Sequence, residues 1–270
     1  MKRIYLEITD ACNLNCPFCT YPKGHSFMPL DRIEDHLKQI KPICDYVYLH
    51  ILGEPLLHPD FDQILCLLDQ LEMSLQLVTN GILLPKHPDL LEHPCLRKLS
   101  VSVHSVNHLK IGNDYFDSLD QLILDPHGKN IELRFYDRDH LDDDLQAYLK
   151  HLENTYGFKD TSKSDSYEVK RHVYVYFSEL FRWPEIKDPF LSDQGTCHGA
   201  IDMIAINVHS EVTLCCLDPL AYNSIGNLTD QSLQEILSSK QYLEHIEAFR
   251  QHRLLSPLCQ RCSYRMRFSS

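Results

Sequence analysis

Three cysteines near the start of the sequence have the spacing of a metal site. Cys12, Cys16 and Cys19 form a C-x3-C-x2-C triplet directly after the first alternating segment of the chain. Three thiolates can hold three irons of a [4Fe–4S] cube and leave the fourth iron open, whereas structural zinc sites and electron-transfer clusters use four ligands. The triplet therefore predicts a cluster at which an exchangeable ligand binds, with a zinc knuckle as the alternative.

A second group of cysteines lies in the last third of the chain and ends in a C-x2-C pair. With the triplet, it makes a clustered set within an odd total of eleven cysteines, which favours metal ligation over a disulfide framework. Four cysteines close the coordination sphere of a cluster or of zinc, so such a site does not bind substrate directly. The members of the group are Cys197, Cys215, Cys216, Cys259 and Cys262, whereas Cys44, Cys66 and Cys95 are predicted to be inert packing residues.

Six short strands that alternate with amphipathic helices must position these cysteines. Such an alternation implies right-handed crossovers and a mainly parallel sheet. The strands are predicted at residues 3–9, 46–52, 75–79, 98–104, 130–136 and 172–178, and the helices at 31–40, 60–71, 115–124 and 142–156. Residues 159–171 are predicted to be a loop, residues 203–208 and 211–215 a hairpin, and residues 231–238 and 241–251 two further helices.

Nearly every predicted strand has one apolar and one polar face. In the fifth strand, for example, Ile131 and Leu133 alternate with Glu132 and Arg134. A covered parallel sheet is apolar on both faces, and a closed eight-stranded barrel fills its interior with branched apolar side chains. We therefore predict an α/β fold in which a partial (β/α)6 barrel surrounds a polar ligand and precedes a small C-terminal α+β domain. A sheet whose polar face lies in water is the alternative.

The triplet, with the aromatic Phe18 before its third cysteine, resembles the hallmark of the radical S-adenosylmethionine (SAM) superfamily. The resemblance implies that the open iron chelates the amino and carboxylate groups of SAM. It also implies that one-electron cleavage of SAM yields a 5′-deoxyadenosyl radical, which removes hydrogen from a substrate. The protein must then position the reactants and exclude water.

Further positions resemble the superfamily in chain order. Leu52-Gly53-Glu54-Pro55 resembles the GGEP motif, which holds the methionine amino group mainly through backbone oxygen, with Leu52 in place of the first glycine. The resemblance also implies SAM contacts for Asn80, in Thr79-Asn80-Gly81, and for Ser102 at the usual ribose position. Arg134 is placed to pair with a carboxylate such as that of SAM. The structural alternatives are a mere turn for Gly53-Glu54-Pro55, an ordinary strand serine for Ser102 and a structural ion pair for Arg134.

The segment VTLCCLDPLAYNSIGNLTDQSLQEIL resembles the shortened auxiliary-cluster domain of the superfamily, called Twitch, a truncated SPASM domain. This resemblance implies a second [4Fe–4S] cluster on Cys197, Cys215, Cys259 and Cys262, with Cys216 as a less favoured substitute for its neighbour. Such a cluster moves electrons or staples the small domain, and a zinc site is the alternative. The expected boundaries are residues 1–180 for the barrel and 181–270 for the auxiliary domain.

The charge and hydropathy of the chain exclude several classes of partner. Of 270 residues, 26 are Lys or Arg and 38 are Asp or Glu, so the formal net charge is −12. This balance disfavours nonspecific binding to nucleic acid or to an anionic membrane. No secretory signal and no membrane-spanning run is found, so we expect a cytoplasmic protein. The resemblance implies a flavodoxin- or ferredoxin-type electron donor.

A small polar substrate is the simplest expectation, because the first strand begins at residue 3 and leaves no room for a leader-peptide-binding domain. The compact build resembles lyases of queuine salvage that release a 7-deazaguanine base, which is our main hypothesis. The alternatives are a dehydrogenase of an aminocyclitol-like substrate with the auxiliary cluster as electron acceptor, a peptide-modifying maturase, and a non-catalytic electron carrier. Polar-face residues expected to contact the substrate are Glu7, His50, His104, Glu132, Tyr136, Tyr174 and Tyr176.

Overall fold

A computed structural model describes residues 1–19, 21–157 and 166–268 of the chain. The strands in these residues are β1 (Arg3–Leu6), β2 (Tyr46–Tyr48), β3 (Ser74–Thr79), β4 (Leu96–Ser102), β5 (Asn130–Tyr136), β6 (Ser166–Lys170), β7 (Val173–Ser178), β8 (Met203–Ile206), β9 (Glu211–Thr213) and β10 (Ser224–Asn227). They form one sheet in the order β10-β9-β8-β1-β2-β3-β4-β5-β7-β6. Neighbours from β8 to β7 are parallel, and the strands outside them are antiparallel.

The helices cover the outer face of this sheet. They are α1 (Leu30–Ile40), α2 (Phe61–Gln70), α3 (Asn113–Leu124), α4 (Asp143–Tyr156), α5 (Leu233–Leu237) and α6 (Lys240–Arg250). Two short 3-10 turns, Leu84–Lys86 and Leu90–Glu92, lie between β3 and β4, where the third helix of a (β/α)6 barrel would be. Within the described residues, no helix is long and apolar enough to cross a membrane.

The apolar face of each strand packs against the helices, as the alternation predicts. On β1, Ile4 and Leu6 have no exposed surface, and they lie in one core with Ile33 and Leu37 of α1. Burial of each such side chain contributes about 1.5–3 kcal/mol to folding. The opposite, polar face is concave and lines a cavity. The predicted partial barrel is therefore confirmed.

Three barrel strands end earlier than predicted. The first ends at Leu6, the second at Tyr48 and the fourth at Ser102, whereas their patterns continued to residues 9, 52 and 104. After each strand the backbone continues as a loop with hydrogen bonds of its own, such as that from the Ala11 amide to Thr9 Oγ1. These loops carry the residues that were predicted to do chemistry.

The predicted loop at residues 159–171 is wrong in its second half. Ser166–Lys170 is strand β6, which pairs antiparallel with β7. Tyr167 packs against Phe177, and Val169 is buried, so two apolar side chains within a polar stretch were sufficient for an edge strand. Residues 159–165 lie outside the described residues.

The C-terminal segment extends the barrel sheet. The predicted hairpin forms as β8 and β9, and β8 lies parallel to β1 over its whole length. One residue past the end of β1, the Glu7 amide still donates to the carbonyl of Ile206, the last residue of β8, at 2.8 Å. The cysteine-rich segment is thus joined to the barrel through backbone pairing.

Glu7, for which the sequence predicts a substrate contact, fastens this junction. Its side chain is 2% exposed, and its two oxygens accept the amides of Leu52, at 2.9 Å, and Val208, at 3.1 Å. It connects the loop after β2 to the hairpin turn after β8. Burial raises the pKa of Glu7 to about 7.

Replacement of Glu7 tests this fastening role. Glu7→Ala leaves two buried amides without acceptors and is expected to lower the free energy of unfolding by about 2 kcal/mol or more. Because the folded-state pKa is raised, Glu7 favours folding below its unfolded pKa and loses that contribution as pH rises toward 7. Glu7→Gln should therefore flatten the pH dependence between pH 4.5 and 7 in urea unfolding, whereas exposed Glu92→Gln should not. An unchanged slope in Glu7→Gln would contradict this assignment.

Candidate functional site

Both cysteine groups face one cavity of about 550 Å³ on the concave side of the sheet. Its lining includes Cys12, Cys16 and Cys19 as well as Cys197, Cys215, Cys216, Cys259 and Cys262. The floor and walls between them come from the polar faces of the barrel strands. The tertiary structure thus brings together two groups that lie far apart in sequence.

The cysteine triplet lies on a loop that is ordered by its own backbone. The Cys19 amide donates to the carbonyl of Cys16 at 3.0 Å, and the Cys16 thiol contacts the carbonyl of Ser105 at 3.4 Å. Burial, together with the neighbouring Cys12, raises the pKa of Cys16 to about 11. Buried thiols grouped in this way lose their protons when an adjacent cation, such as a bound metal ion, stabilises the negative charge of the thiolates.

Lys23 is a further member of this site that the sequence analysis missed. Its Nζ lies 2.8 Å from Cys19 Sγ and 3.4 Å from the carbonyl oxygen of Leu52. The ammonium therefore joins the cysteine loop to the Gly53-Glu54-Pro55 loop and places positive charge beside the thiols. The sequence signal for Lys23 was a basic residue four positions after the last cysteine of the triplet. This signal is weak, because many lysines in such positions are exposed.

Gly53 is required by close approach of two loops. A Cβ at this position would lie 2.1 Å from the carbonyl oxygen of Thr9, and the next amide, that of Glu54, donates to the Ala11 carbonyl at 2.8 Å. The loop after β2 is therefore pressed against the cysteine loop. Leu52, which replaces the usual glycine, needs no such contact and accommodates its side chain.

Glu54 is buried and is used entirely within the protein. Oε1 accepts the Thr79 hydroxyl at 2.7 Å and the Leu56 amide at 3.1 Å, and Oε2 accepts the Asn80 amide at 2.8 Å. Pro55 begins a buried 3-10 turn. The side chain of Glu54 thus fixes the loop relative to the end of β3 and leaves backbone oxygens as the groups able to hold a ligand.

Asn80 completes the connection of β3 to the cysteine loop. Its Nδ2 donates to Asn13 Oδ1 at 2.8 Å, and its carbonyl accepts the Tyr115 hydroxyl at 3.0 Å. Gly81 follows with φ of +86°, a conformation that favours glycine. Asn13, inside the triplet, was missed because one asparagine in a loop carries no distinctive pattern.

An aromatic group lies beside the triplet. The rings of His104 and Tyr136 are stacked with centroids 4.4 Å apart, and the Phe18 ring lies 5.3 Å from that of His104. The pKa of His104 is lowered to about 4, chiefly by burial, so its imidazole is neutral at pH 7. All three residues line the cavity and could hold a planar group.

Ser102, the last residue of β4, and Arg134, within β5, line the cavity. Arg134 pairs with Glu132 through Nε, and its Nη2 donates to Ser100 Oγ at 3.1 Å. The guanidinium is thus oriented by an ion pair while it still faces the cavity. Glu132 also binds Lys98 Nζ at 2.6 Å, and these two cations lower the pKa of its carboxyl.

The predicted substrate contacts divide into two sets. His50, His104, Tyr136 and Tyr176 line the cavity, whereas Glu132, Tyr174 and Glu7 do not. Glu132 is occupied by Lys98 and Arg134, and the Tyr174 hydroxyl lies 3.4 Å from Glu168 on the edge strand. The polar atoms of these three residues already have partners within the protein or at its edge, and substrate contact by them stays a prediction.

The cavity floor contains residues that the sequence analysis left out. The rings of Tyr5 and Tyr48 are stacked at 4.5 Å, and His50 meets both edgewise at 5.6 and 5.8 Å. Arg3 lies beside them, and its Nε is buried without a hydrogen-bond partner among the described residues. Arg3 could have been predicted from the alternation of β1, because it lies two residues before Tyr5 and therefore on the same polar face.

Four cysteines of the second group converge. Burial raises the pKa of all four thiols, and proximity to Cys197 raises the pKa of Cys215, Cys259 and Cys262 further. The Gly199 amide donates to Cys197 Sγ at 3.4 Å, and Asn223 Nδ2 donates to Cys259 Sγ at 3.7 Å. Donors to sulfur of this kind are usual around cluster ligands.

Cys216 has a different environment from its neighbour Cys215. It packs beside the apolar group of Tyr21, Ile51, Trp183 and Ala205, and its thiol hydrogen bonds with Tyr5 on the barrel floor. Among the other cysteines, Cys44 and Cys95 are buried as predicted, whereas Cys66 is exposed and does not pack in the core. The expectation for Cys66 is therefore wrong: it lies on the outer face of α2.

The two donor sets fit iron–sulfur clusters. Soft thiolate sulfur is the ligand type that such clusters use, and each group presents it to a shared cavity. The first group offers three thiols with Lys23 beside them, which leaves a position for an exchangeable ligand. The second offers four thiols with donors to sulfur, which leaves none.

Comparison with known families agrees with this geometry. Residues 6–131 match the radical SAM superfamily, and residues 197–263 match the SPASM iron–sulfur cluster-binding domain. The chain belongs to the radical SAM superfamily and carries a C-terminal SPASM domain. The matched domains imply SAM and iron–sulfur clusters as cofactors.

Individual relatives match less completely. The GTP 3′,8-cyclase of Aquifex aeolicus is 32% identical over 116 residues, which are 40% of this chain and 36% of that protein. The chain thus spans about a third of the length of the curated relatives it matches.

Two solved structures show the same fold over nearly the whole chain. BtrN in complex with AdoMet and 2-DOIA has a TM-score of 0.59 at 15% identity, and the match covers 97% of this chain and 93% of that one. The anSMEcpe structure with AdoMet and the Cp18Cys peptide has a TM-score of 0.61 at 12% identity, covering 97% and 86%.

The packing of Gly53 gives a direct test of the site. Gly53→Ala places a methyl group against backbone of the cysteine loop, so we expect at least a tenfold loss of SAM affinity in equilibrium dialysis. Gly112→Ala is the matched control, because its Cβ would meet nothing within 4 Å and its φ is −74°. Equal SAM binding by the two variants would show that the loops are not held together as described.

Proposed function

We propose that the protein is a dehydrogenase that oxidises a small hydroxylated substrate, with a [4Fe–4S] cluster on Cys197, Cys215, Cys259 and Cys262 as electron acceptor. The observation that supports this most is that both cysteine groups line one cavity. A substrate in that cavity would lie between the site of hydrogen abstraction and the electron acceptor. The comparisons favour this alternative over the queuine-salvage lyase of our main hypothesis.

For the N-terminal site, we propose that Cys12, Cys16 and Cys19 hold the first [4Fe–4S] cluster. When bound, this cluster and SAM supply the radical that abstracts hydrogen. The chain's own part is to place SAM: backbone of Gly53, Glu54 and Pro55 would hold its amino group, and Arg134 would pair with its carboxylate. Ser102 and Asn80 would contact the ribose side, and Phe18 with His104 would flank the base.

Oxidation of an alcohol to a carbonyl removes a hydrogen atom, a proton and an electron from the substrate. In this proposal the hydrogen atom would leave with 5′-deoxyadenosine, a cluster on the C-terminal cysteines would accept the electron, and the proton would pass to solvent. The chain must orient the hydroxyl. The neutral imidazole of His50, whose pKa burial lowers to about 3, and the phenols of Tyr5, Tyr48, Tyr136 and Tyr176 are suited to do so.

The charges of the cavity limit the substrate class. Of the described carboxylates, those of Glu54 and Glu179 line the cavity, and Glu54 is occupied by three donors. Arg3 and Arg134 face the same space. A neutral or anionic substrate is therefore favoured over an aminocyclitol with several ammonium groups, because the two guanidinium groups would repel the ammonium groups and, of the described carboxylates, only Glu179 would face them besides the occupied Glu54.

The size of the cavity favours a small molecule over a peptide. A volume of about 550 Å³ lies within the range of about 300–1,000 Å³ typical of small-molecule sites.

We further propose that the boundary between the barrel and the auxiliary domain falls near residue 180, as expected from the sequence. We also propose that a flavodoxin- or ferredoxin-type protein supplies the initial electron.

Product analysis distinguishes the dehydrogenase from the lyase. Anaerobically reconstituted enzyme would be incubated with SAM and panels of polyols, hydroxy acids and amino alcohols, and 5′-deoxyadenosine formation above background would identify substrates. A dehydrogenase yields one 5′-deoxyadenosine per product, and the product keeps all heavy atoms but lacks two hydrogens. A product that has split into two fragments would refute the proposal.

Removal of two auxiliary cysteines tests the electron acceptor. Cys259→Ala with Cys262→Ala should lose about half of the iron, keep SAM cleavage and lose at least tenfold in oxidised product, because the substrate radical has no acceptor. Cys66→Ala removes an exposed thiol outside the cavity and should match wild type in all three measurements. Full product formation by the double variant would overturn the electron-acceptor role.

A further inference from the structure

Arg265 is the only lysine or arginine among the buried residues of the described chain. It lies in the 3-10 turn Tyr264–Phe268 and is 3% exposed. Its Nε donates to the carbonyl of Cys259 at 3.2 Å. Its Nη2 is buried and has no hydrogen-bond partner, and none of the ion pairs found among the described residues includes Arg265.

A buried guanidinium without a counterion is unfavourable by several kcal/mol. Arg134, another arginine of the cavity, has Glu132 as its partner. Arg265 instead lies against the second cysteine group, where its charge interacts with the thiols of Cys197 and Cys262. These thiols, as thiolates, are the negative charge that the residue lacks.

The position of the guanidinium is set by the backbone around it. A Cβ on Gly195 would lie 2.5 Å from Arg265 Nη1, and Gly195 has a φ of +142° that favours glycine. The space for this end of the side chain is thus provided by a residue without a side chain. Together with the bond from Nε, this directs Arg265 toward the cysteine set.

We propose that Arg265 is a positioning residue for the C-terminal cluster, whose negative charge it compensates and whose reduction potential it thereby raises. Four thiolates on a cube of charge 2+ leave a net charge of −2, and one more electron makes it −3. A fixed positive charge in a low-dielectric site favours the more negative, reduced form. This inference rests on the proposed function, because it requires a cluster on these cysteines.

Potentiometric titration followed by electron paramagnetic resonance tests the inference. The full chain carrying Cys12→Ala, Cys16→Ala and Cys19→Ala would be reconstituted, so that only the C-terminal cluster is observed. In this background Arg265→Gln should lower the equilibrium constant for electron uptake at least tenfold, which is about 59 mV for one electron. Arg265→Lys, which keeps the charge, should shift it by less than half as much.

Arg267→Gln is the matched control. It removes the same charge two residues away, but Arg267 is exposed and lies over the Tyr264 ring at 4.9 Å from the centroid. A shift in Arg265→Gln no larger than that in Arg267→Gln, at equal iron content, overturns the inference. If Arg265→Gln binds no iron, recovery of iron in Arg265→Lys supports a charge role, and failure of both variants overturns it.

The outcome separates the inference from the function on which it rests. Absence of iron from the C-terminal cysteines of the parent variant overturns the two-cluster proposal itself. If the iron content is normal and the reduction potential does not change when Arg265 is replaced, only the role of this residue is overturned.

Discussion

The parallel pairing of β8 with β1 is the constraint on which the arrangement of the site depends. The first cysteine group follows β1 in the chain and the second surrounds the hairpin that begins with β8. Because these strands are hydrogen-bonded neighbours, both groups face the concave side of one sheet. Without this pairing the auxiliary segment would be a separate unit, and its cysteines would have no defined relation to the cavity.

Buried polar side chains then hold the loops that the strands present. Glu7 binds amides from the loop after β2 and from the hairpin turn, and Glu54 binds the end of β3. Asn80 reaches back to Asn13 within the cysteine triplet. Each bond is modest alone, but a buried donor left unpaired costs about 1–3 kcal/mol, so the loops have few alternatives. Rigid loops of this kind suit a site that must control a reactive intermediate.

The electrostatics of the cavity differ from those of the whole protein. The chain carries a formal charge of −12, yet Arg3, Lys23, Arg134 and Arg265 all line the cavity. Lys23 and Arg265 each lie at one cysteine group, where thiolate charge is expected, and Arg134 is oriented by Glu132. Positive side chains are thus concentrated where negative ligands would bind, while the acidic residues lie mostly elsewhere.

Local patterns in the sequence determined the elements and the two cysteine groups. Alternation places Ile4 and Leu6 in the core and Tyr5 toward the cavity, because successive strand residues point to opposite faces. The tertiary structure decided what the polar residues do. Alternation predicts ligand contacts for Glu7, Glu132 and Tyr174. In the structure their partners come from distant segments, or from an edge strand that was not predicted because its sequence is polar. Lys23, Asn13 and Arg265 were missed for the same reason: their roles depend on neighbours that only folding brings within hydrogen-bond distance.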